Sequence, residues 1–188
     1  RPKTEKDLPG KLQLLGEWPL NLCWRIYINL DSNQIARTTC YNISESFDYE
    51  IRGFHVYKSK WAPVLHQQLY TTKEKNNPYD HCAVAVTTED LTAQSIDCLE
   101  FRQDKLGVVG HIPVELSHIL RPYIDNQTIA ITCKVLDNKY RRSNKAEGLV
   151  IPARYTLNGH LVAVNSAIAS VSREIQRVRD LDLQHSNL

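Results

Sequence analysis

The sequence contains no methionine, its seven glycines stand singly, and its five cysteines never form a Cys-x-x-Cys pair. Each scarcity excludes something. Isolated glycines without a Gly-Lys-Ser/Thr step cannot build the loop that cradles nucleotide phosphates. No His-Glu-x-x-His and no Gly-x-Ser-x-Gly occurs, which removes the common metalloprotease and serine-hydrolase frames. Apolar runs stay short of the roughly 18 residues that a membrane span takes, and no secretory leader pattern is present. An odd count of scattered cysteines (Cys23, Cys40, Cys82, Cys98, Cys133) fits reduced thiols better than a disulfide framework. The expected location is therefore intracellular, nuclear or cytoplasmic. Two glycosylation sequons, at Asn42 and Asn126, matter only in a secreted chain. The chain opens at Arg1, which reads as a cut or processed end.

Net charge is +2, too little to imply a polyanionic partner by itself. The positive excess is local. Residues 51–160 hold 14 Lys and Arg against 11 Asp and Glu, while the flanking segments are near balance. Lys134, Lys139, Arg141, Arg142 and Lys145 crowd one short stretch against the single acid Asp137.

Hydrophobic residues make up 42% of the chain, enough for a packed core. Residues 1–16 read as a polar arm. Alternation from Leu20 to Leu30 predicts a strand, and the Thr-rich Gln34–Cys40 segment predicts its hairpin partner. Further strands are expected at 50–57, 68–72, 82–87 and 106–112, with a long polar loop over 88–105. Pro113 suits the start of a helix running toward Tyr123. Residues 129–136 and 149–157 predict a long-looped hairpin around the basic stretch. Apolar residues at helical spacing from Val162 predict a C-terminal helix. The expected class is mainly β with minor α: a small oligonucleotide-binding-like antiparallel β-barrel with one internal helix and a C-terminal helix. The expected divisions are 1–49 (arm and hairpin), 50–160 (barrel) and 161–188 (helix and tail).

No catalytic constellation, cofactor motif or metal-ligand spacing emerges. His111 and His118, or His55 and His66, lack a cysteine or carboxylate partner at zinc-like spacing. What remains is a binding vocabulary. Tyr57, Trp61 and Tyr79 lie near Lys58, Lys60 and the basic hairpin, and aromatics beside cations are what single-stranded nucleic acid requires.

Two blocks sharpen that reading: Asn76-Asn77-Pro78-Tyr79-Asp80 with the strand Ala83–Val86, and Val109-Gly110-His111 with the helix after it. Together with Arg52-Gly53-Phe54-His55-Val56-Tyr57 and Ile151-Pro152-Ala153-Arg154-Tyr155-Thr156 they resemble the HIRAN domain, a module of fork-remodelling translocases that also occurs alone. The resemblance covers residues near 52 to 159, and this chain reads as a divergent, stand-alone copy without a helicase motor. It implies an oligonucleotide-binding-like barrel and recognition of the free 3′-hydroxyl end of single-stranded DNA. By that resemblance Tyr79 stacks on the terminal base and Asp80 bonds the terminal hydroxyl. The chain departs from the DNA-binding members at three places. His55 and Val56 stand where those members carry an Arg-Tyr pair, Pro113 and Val114 where they carry two lysines, and Leu149 near a late aromatic.

The expected function is thus a non-catalytic nucleic-acid-binding module using His55, Tyr57, Tyr79, Asp80, His111, Arg141 and Arg142, with no metal and no membrane. The alternative is a protein-interaction module that keeps the barrel and has lost the DNA pocket. The groove test is spatial: Tyr79, Asp80 and His55 should share one open groove within reach of Arg141 and Arg142.

Overall fold

The structure is a computed structural model and describes residues 12–17, 25–29, 34–35, 42–91, 98–100, 107–142 and 148–186. The chain divides into two compact units, Arg1–Cys40 and Tyr41–Leu188. In the first, β1 (Leu12–Glu17), β2 (Arg25–Asn29) and β3 (Gln34–Ile35) form a three-stranded antiparallel sheet in that order. The expected hairpin is there, as β2 with β3. The arm read over 1–16 instead contributes a strand from Leu12. The expected strand and return over 20–24, 30 and 36–40 lie outside the described residues.

The second unit begins eight residues ahead of Tyr49 and carries β4 (Asn42–Ile51), α1 (Phe54–Tyr57), β5 (Gln68–Lys75), β6 (Val84–Thr87), β7 (Cys98–Glu100), β8 (Val108–His111), α2 (Val114–Asp125), β9 (Ile129–Val135), β10 (Arg141–Arg142), β11 (Leu149–His160) and α3 (Leu161–Ser186). Among the described residues these eight strands make one sheet, ordered β10-β11-β9-β5-β6-β8, with β4 added on β11 and β7 on β5. All pairings are antiparallel except β5 with β7. β4 pairs with β11 along its whole length. At its end Arg52 and His111 exchange backbone bonds of 3.0 and 2.9 Å, joining β4 to β8. The mainly-β, oligonucleotide-binding-like class holds, but the sheet is not closed into the expected barrel by strand pairing: among the described residues one isolated bridge spans the seam between β4 and β8.

Three local expectations change. The strand expected over 50–57 ends at Ile51, because Gly53 at φ 78° turns the chain and Phe54–Tyr57 make one helical turn that buries Phe54. The strand begins instead at Asn42, where Ile43, Phe47, Tyr49 and Ile51 point inward between polar neighbours. The loop expected over 88–105 contains β7, and Leu91 and Leu99 are fully buried there with Ala85; residues 92–97 and 101–106 lie outside the described residues.

The core lies between the sheet and the two longer helices. Leu116 and Leu120 of α2, and Val164, Ala167, Val171 and Ile175 of α3, recur at three- and four-residue spacing and bury one face each. Tyr155 is fully buried, stacks on Phe47 with centroids 5.4 Å apart, and donates its hydroxyl to Glu50 O. No helix among the described residues is long and apolar enough to cross a membrane.

Glu115 docks the start of α2 onto the end of β4. Its carboxylate receives the Arg52 fork at 2.7 and 2.8 Å and the Tyr49 hydroxyl at 2.8 Å. Burial and the Glu115 hydrogen bond push the Tyr49 phenol far above its ordinary value. A carboxylate in the first helical turn also meets the positive end of the helix dipole. Removing it leaves the phenol without that acceptor and the half-buried guanidinium with Glu50, 2.7 Å from its Nε, as its remaining carboxylate partner among the described residues. Glu115→Ala is expected to lower stability by about 2 kcal/mol, read as a shifted urea midpoint at unchanged slope; Glu115→Gln, which keeps an acceptor, should recover part of the loss.

Candidate nucleic-acid interface

The turn after β5 is built by its own side chains. Asn77 Oδ1 accepts from the backbone N–H groups of Tyr79 (2.9 Å) and Asp80 (3.2 Å), an arrangement that asparagine makes locally and that fixes the following residues. Asp80 repeats the device: its Oδ1 accepts from Cys82 N–H at 2.8 Å, while Ala83 N–H bonds Asp80 O at 3.1 Å. The consequence is that Tyr79 is held outward, 82% exposed, on a backbone pinned by these bonds.

The same turn is tied to β8. Asn77 Nδ2 donates to Glu74 Oε2 at 2.7 Å, and His111 Nε2 lies 3.0 Å from that oxygen. Glu74 is only 4% exposed. Burial raises its carboxyl pKa, but the hydrogen bonds from His111 and Asn77 outweigh burial and hold it below the ordinary Glu value. The His111 ring in turn lies 6.3 Å from the Tyr57 ring of α1. A continuous line of contacts therefore runs from Tyr57 through His111, Glu74 and Asn77 to the Tyr79–Asp80 turn.

Asp80 is also the anchor of α2. Its Oδ2 accepts the hydroxyl of buried Ser117 at 2.8 Å, and His118 Nε2 sits 3.1 Å from Oδ1. Three donors thus converge on a carboxylate with about four lone-pair positions, leaving about one for an incoming hydroxyl. Burial, and then the Asp80 charge, push the neighbouring Cys82 thiol above its ordinary value.

Four of the seven expected residues, Tyr57, Tyr79, Asp80 and His111, are joined in this way. His55 is exposed on α1, with its ring beside Gly148. Arg141 and Arg142 stand apart from the turn. They line an open groove with Tyr49, Arg52, Val178 and Arg179, whose lining includes none of Tyr79, Asp80 and His55. The expectation of one shared groove is corrected: β10 pairs with the start of β11, which carries both arginines toward α3. Lys145 lies outside the described residues. Trp61, also weighed as a stacking residue, is packed edge-on against Phe54 at 5.9 Å.

Sequence reasoning passed over Glu74 and Ser117, and took up His118 only as a zinc-ligand pair with His111. Glu74 carries a signal in principle, an acid between Thr72 and the turn on the inward parity of β5. Ser117 and His118 join the site only through the packing of α2, which adjacency in sequence does not reveal.

The model of the HIRAN domain family matches residues 44–150. Among solved structures, the crystal structure of the HIRAN domain of human HLTF is similar at a TM-score of 0.50 and 18% identity, covering 71% of this chain and 92% of that one. Two NMR structures of the HLTF HIRAN domain are also similar, at 19% identity each. The free form has a TM-score of 0.48 over 71% of this chain and 91% of that one. The form described in its DNA-bound conformation has a TM-score of 0.46 over 69% and 87%. No curated protein matches the chain. Identities this low speak to the fold.

Proposed function

The chain belongs to the HIRAN domain family, and from that premise we propose that it is a non-catalytic nucleic-acid-binding module that reads the 3′-hydroxyl end of single-stranded DNA. The observation that carries this reading is the built turn: an outward aromatic, Tyr79, set directly beside a carboxylate, Asp80, whose protein donors leave room for one more. A base stacks on the ring, which contributes about 1–3 kcal/mol. The terminal hydroxyl donates to Asp80. A 3′-phosphate brings a second negative charge to the same oxygens and is disfavoured, so one carboxylate both accepts and selects.

Cationic support is thin beside this turn. His55 and Val56 stand in place of Arg and Tyr, and Arg141 and Arg142 belong to another groove. Fewer phosphate contacts mean weaker binding and a shallow salt dependence. The runner-up, a protein-interaction module, is favoured by one observation: Val56 is 61% exposed, an apolar side chain offered to solvent beside His55.

The test is fluorescence anisotropy with a 3′-hydroxyl oligonucleotide against its 3′-phosphate form, at two salt concentrations. About 10-fold tighter binding of the hydroxyl end is expected, equivalent to about 1.4 kcal/mol. Asp80→Asn should erase that preference while leaving the turn's acceptor oxygen in place. Equal binding of both ends would mean a generic basic surface, and no binding at low salt would favour the interaction module.

A further inference from the structure

The Asp80–Ala83 turn brings together more chemistry than end recognition uses. Asp80, His81 and Cys82 are consecutive, and His118 reaches them from α2. The four potential ligand atoms all lie within 4.8 Å of one another. The His81 and His118 rings are 5.1 Å apart between centroids, and His118 Nε2 is 3.1 Å from Asp80 Oδ1.

We propose that Asp80, His81, Cys82 and His118 form a Zn²⁺ site, ligating through one carboxylate oxygen, two imidazole nitrogens and one thiolate. Tetrahedral zinc with bonds of roughly 2.0–2.3 Å places its ligand atoms roughly 3.3–3.8 Å apart. The Asp80–His118 separation is already near that edge length. The remaining gaps close with movements on the order of 1 Å, and both histidines are exposed.

Three features make this more than a chance meeting of side chains. The backbone bond from Ala83 N to Asp80 O closes a tight turn, which holds three consecutive residues over one spot. The Asp80 carboxylate is pre-oriented by the Ser117 hydroxyl and the Cys82 N–H, the kind of outer-shell hydrogen bond that metal carboxylates use. The charges also balance: one carboxylate and one thiolate neutralise the dication, and two neutral imidazoles complete the set. The nearest guanidinium, Arg121, is already paired with Asp125 at 3.0 Å and donates to Ala83 O, so it does not face the site as an uncompensated charge. The donor set selects zinc over magnesium or calcium, which take oxygen ligands. Bound there, the ion would clamp the turn bearing Tyr79 to α2.

The test is a Co²⁺ titration of reduced, chelator-treated protein, followed by Zn²⁺ competition. One equivalent of Co²⁺ should give the strong visible bands of a tetrahedral site and a thiolate-to-cobalt charge-transfer band, both removed by Zn²⁺. Cys82→Ser should lose the charge-transfer band, and both Cys82→Ser and His118→Gln should weaken Co²⁺ binding at least 10-fold. Cys98→Ser, in β7, should bind as the parent does. Far-UV circular dichroism and a metal-free urea midpoint establish that each variant is folded. Absence of tetrahedral bands, or unchanged binding in both Cys82→Ser and His118→Gln, overturns the site. Because the readout is the metal's own spectrum, its failure is distinct from a failure of DNA-end recognition.

Discussion

Gly110→Ala is expected to destabilise the Tyr41–Leu188 unit by about 3 kcal/mol, a larger loss than truncating an exposed residue of the site. A Cβ at this position would lie 2.5 Å from Ile51 Cγ2 and 2.6 Å from Arg52 O. Ile51 is fully buried, so its methyl has nowhere to go without disturbing the core. Arg52 O is a backbone atom and cannot rotate away. It is also the acceptor of His111 N–H in the one bridge that, among the described residues, joins β4 to β8. Overpacking a core by a methyl costs about 1–3 kcal/mol. The two bridge bonds, worth about 0.5–1.5 kcal/mol each, are strained by the same displacement. For a unit of this size that total corresponds to a fall in Tm of roughly 6–12 °C. Chemical and thermal denaturation would measure it. A loss below about 1 kcal/mol would mean that the seam yields, and that the Val-Gly-His glycine is not there for close approach. Because His111 follows Gly110 directly, a displaced seam would also move His111 away from Glu74, linking the stability of the sheet to the shape of the candidate interface.

That linkage shows what the sequence carried and what it did not. β9, with clean alternation throughout, and β11 from Ala153 onward were legible, since period-two patterning is the direct imprint of a half-buried sheet. β4 was not: Ser44, Glu45, Ser46 and Asp48 dilute its inward Ile43, Phe47, Tyr49 and Ile51, and Glu45 breaks the parity by facing solvent. β7 was hidden because a three-residue parallel strand has no room for a pattern, and its Leu99 is buried with Leu91 and Ala85, which lie outside the strand. Within the candidate site, Tyr79 and Asp80 could be found because the turn is local and the asparagine, proline and aspartate that build it are contiguous. Ser117 and His118 could not, since they arrive on a helix whose placement is set by Leu116 and Leu120 in the core. Arg141 and Arg142 illustrate the opposite error. Their charge was legible, but their position follows from the pairing of β10 with β11, which sends them to a groove against α3.

Tyr79→Ala is expected to separate binding from folding. The side chain is 82% exposed, and the bond that fixes the turn uses the Tyr79 backbone N–H, which alanine retains. Stability should therefore change by no more than about 0.5 kcal/mol, as for other exposed positions. Binding of a 3′-hydroxyl oligonucleotide should fall by the stacking contribution, about 1–3 kcal/mol, or roughly 5- to 150-fold. Tyr79→Phe keeps the ring face and should bind nearly as the parent does. The slope of affinity against salt should be the same for parent and Tyr79→Ala, because an uncharged ring releases no counterions. Asn77→Ala supplies the contrast: it removes the acceptor for two backbone N–H groups and the donor to Glu74, so it should weaken both binding and stability. If Tyr79→Ala binds as tightly as the parent, the terminal base does not stack on this ring. The exposed tyrosine would then belong to a protein contact, and the interaction-module reading would stand in place of end recognition.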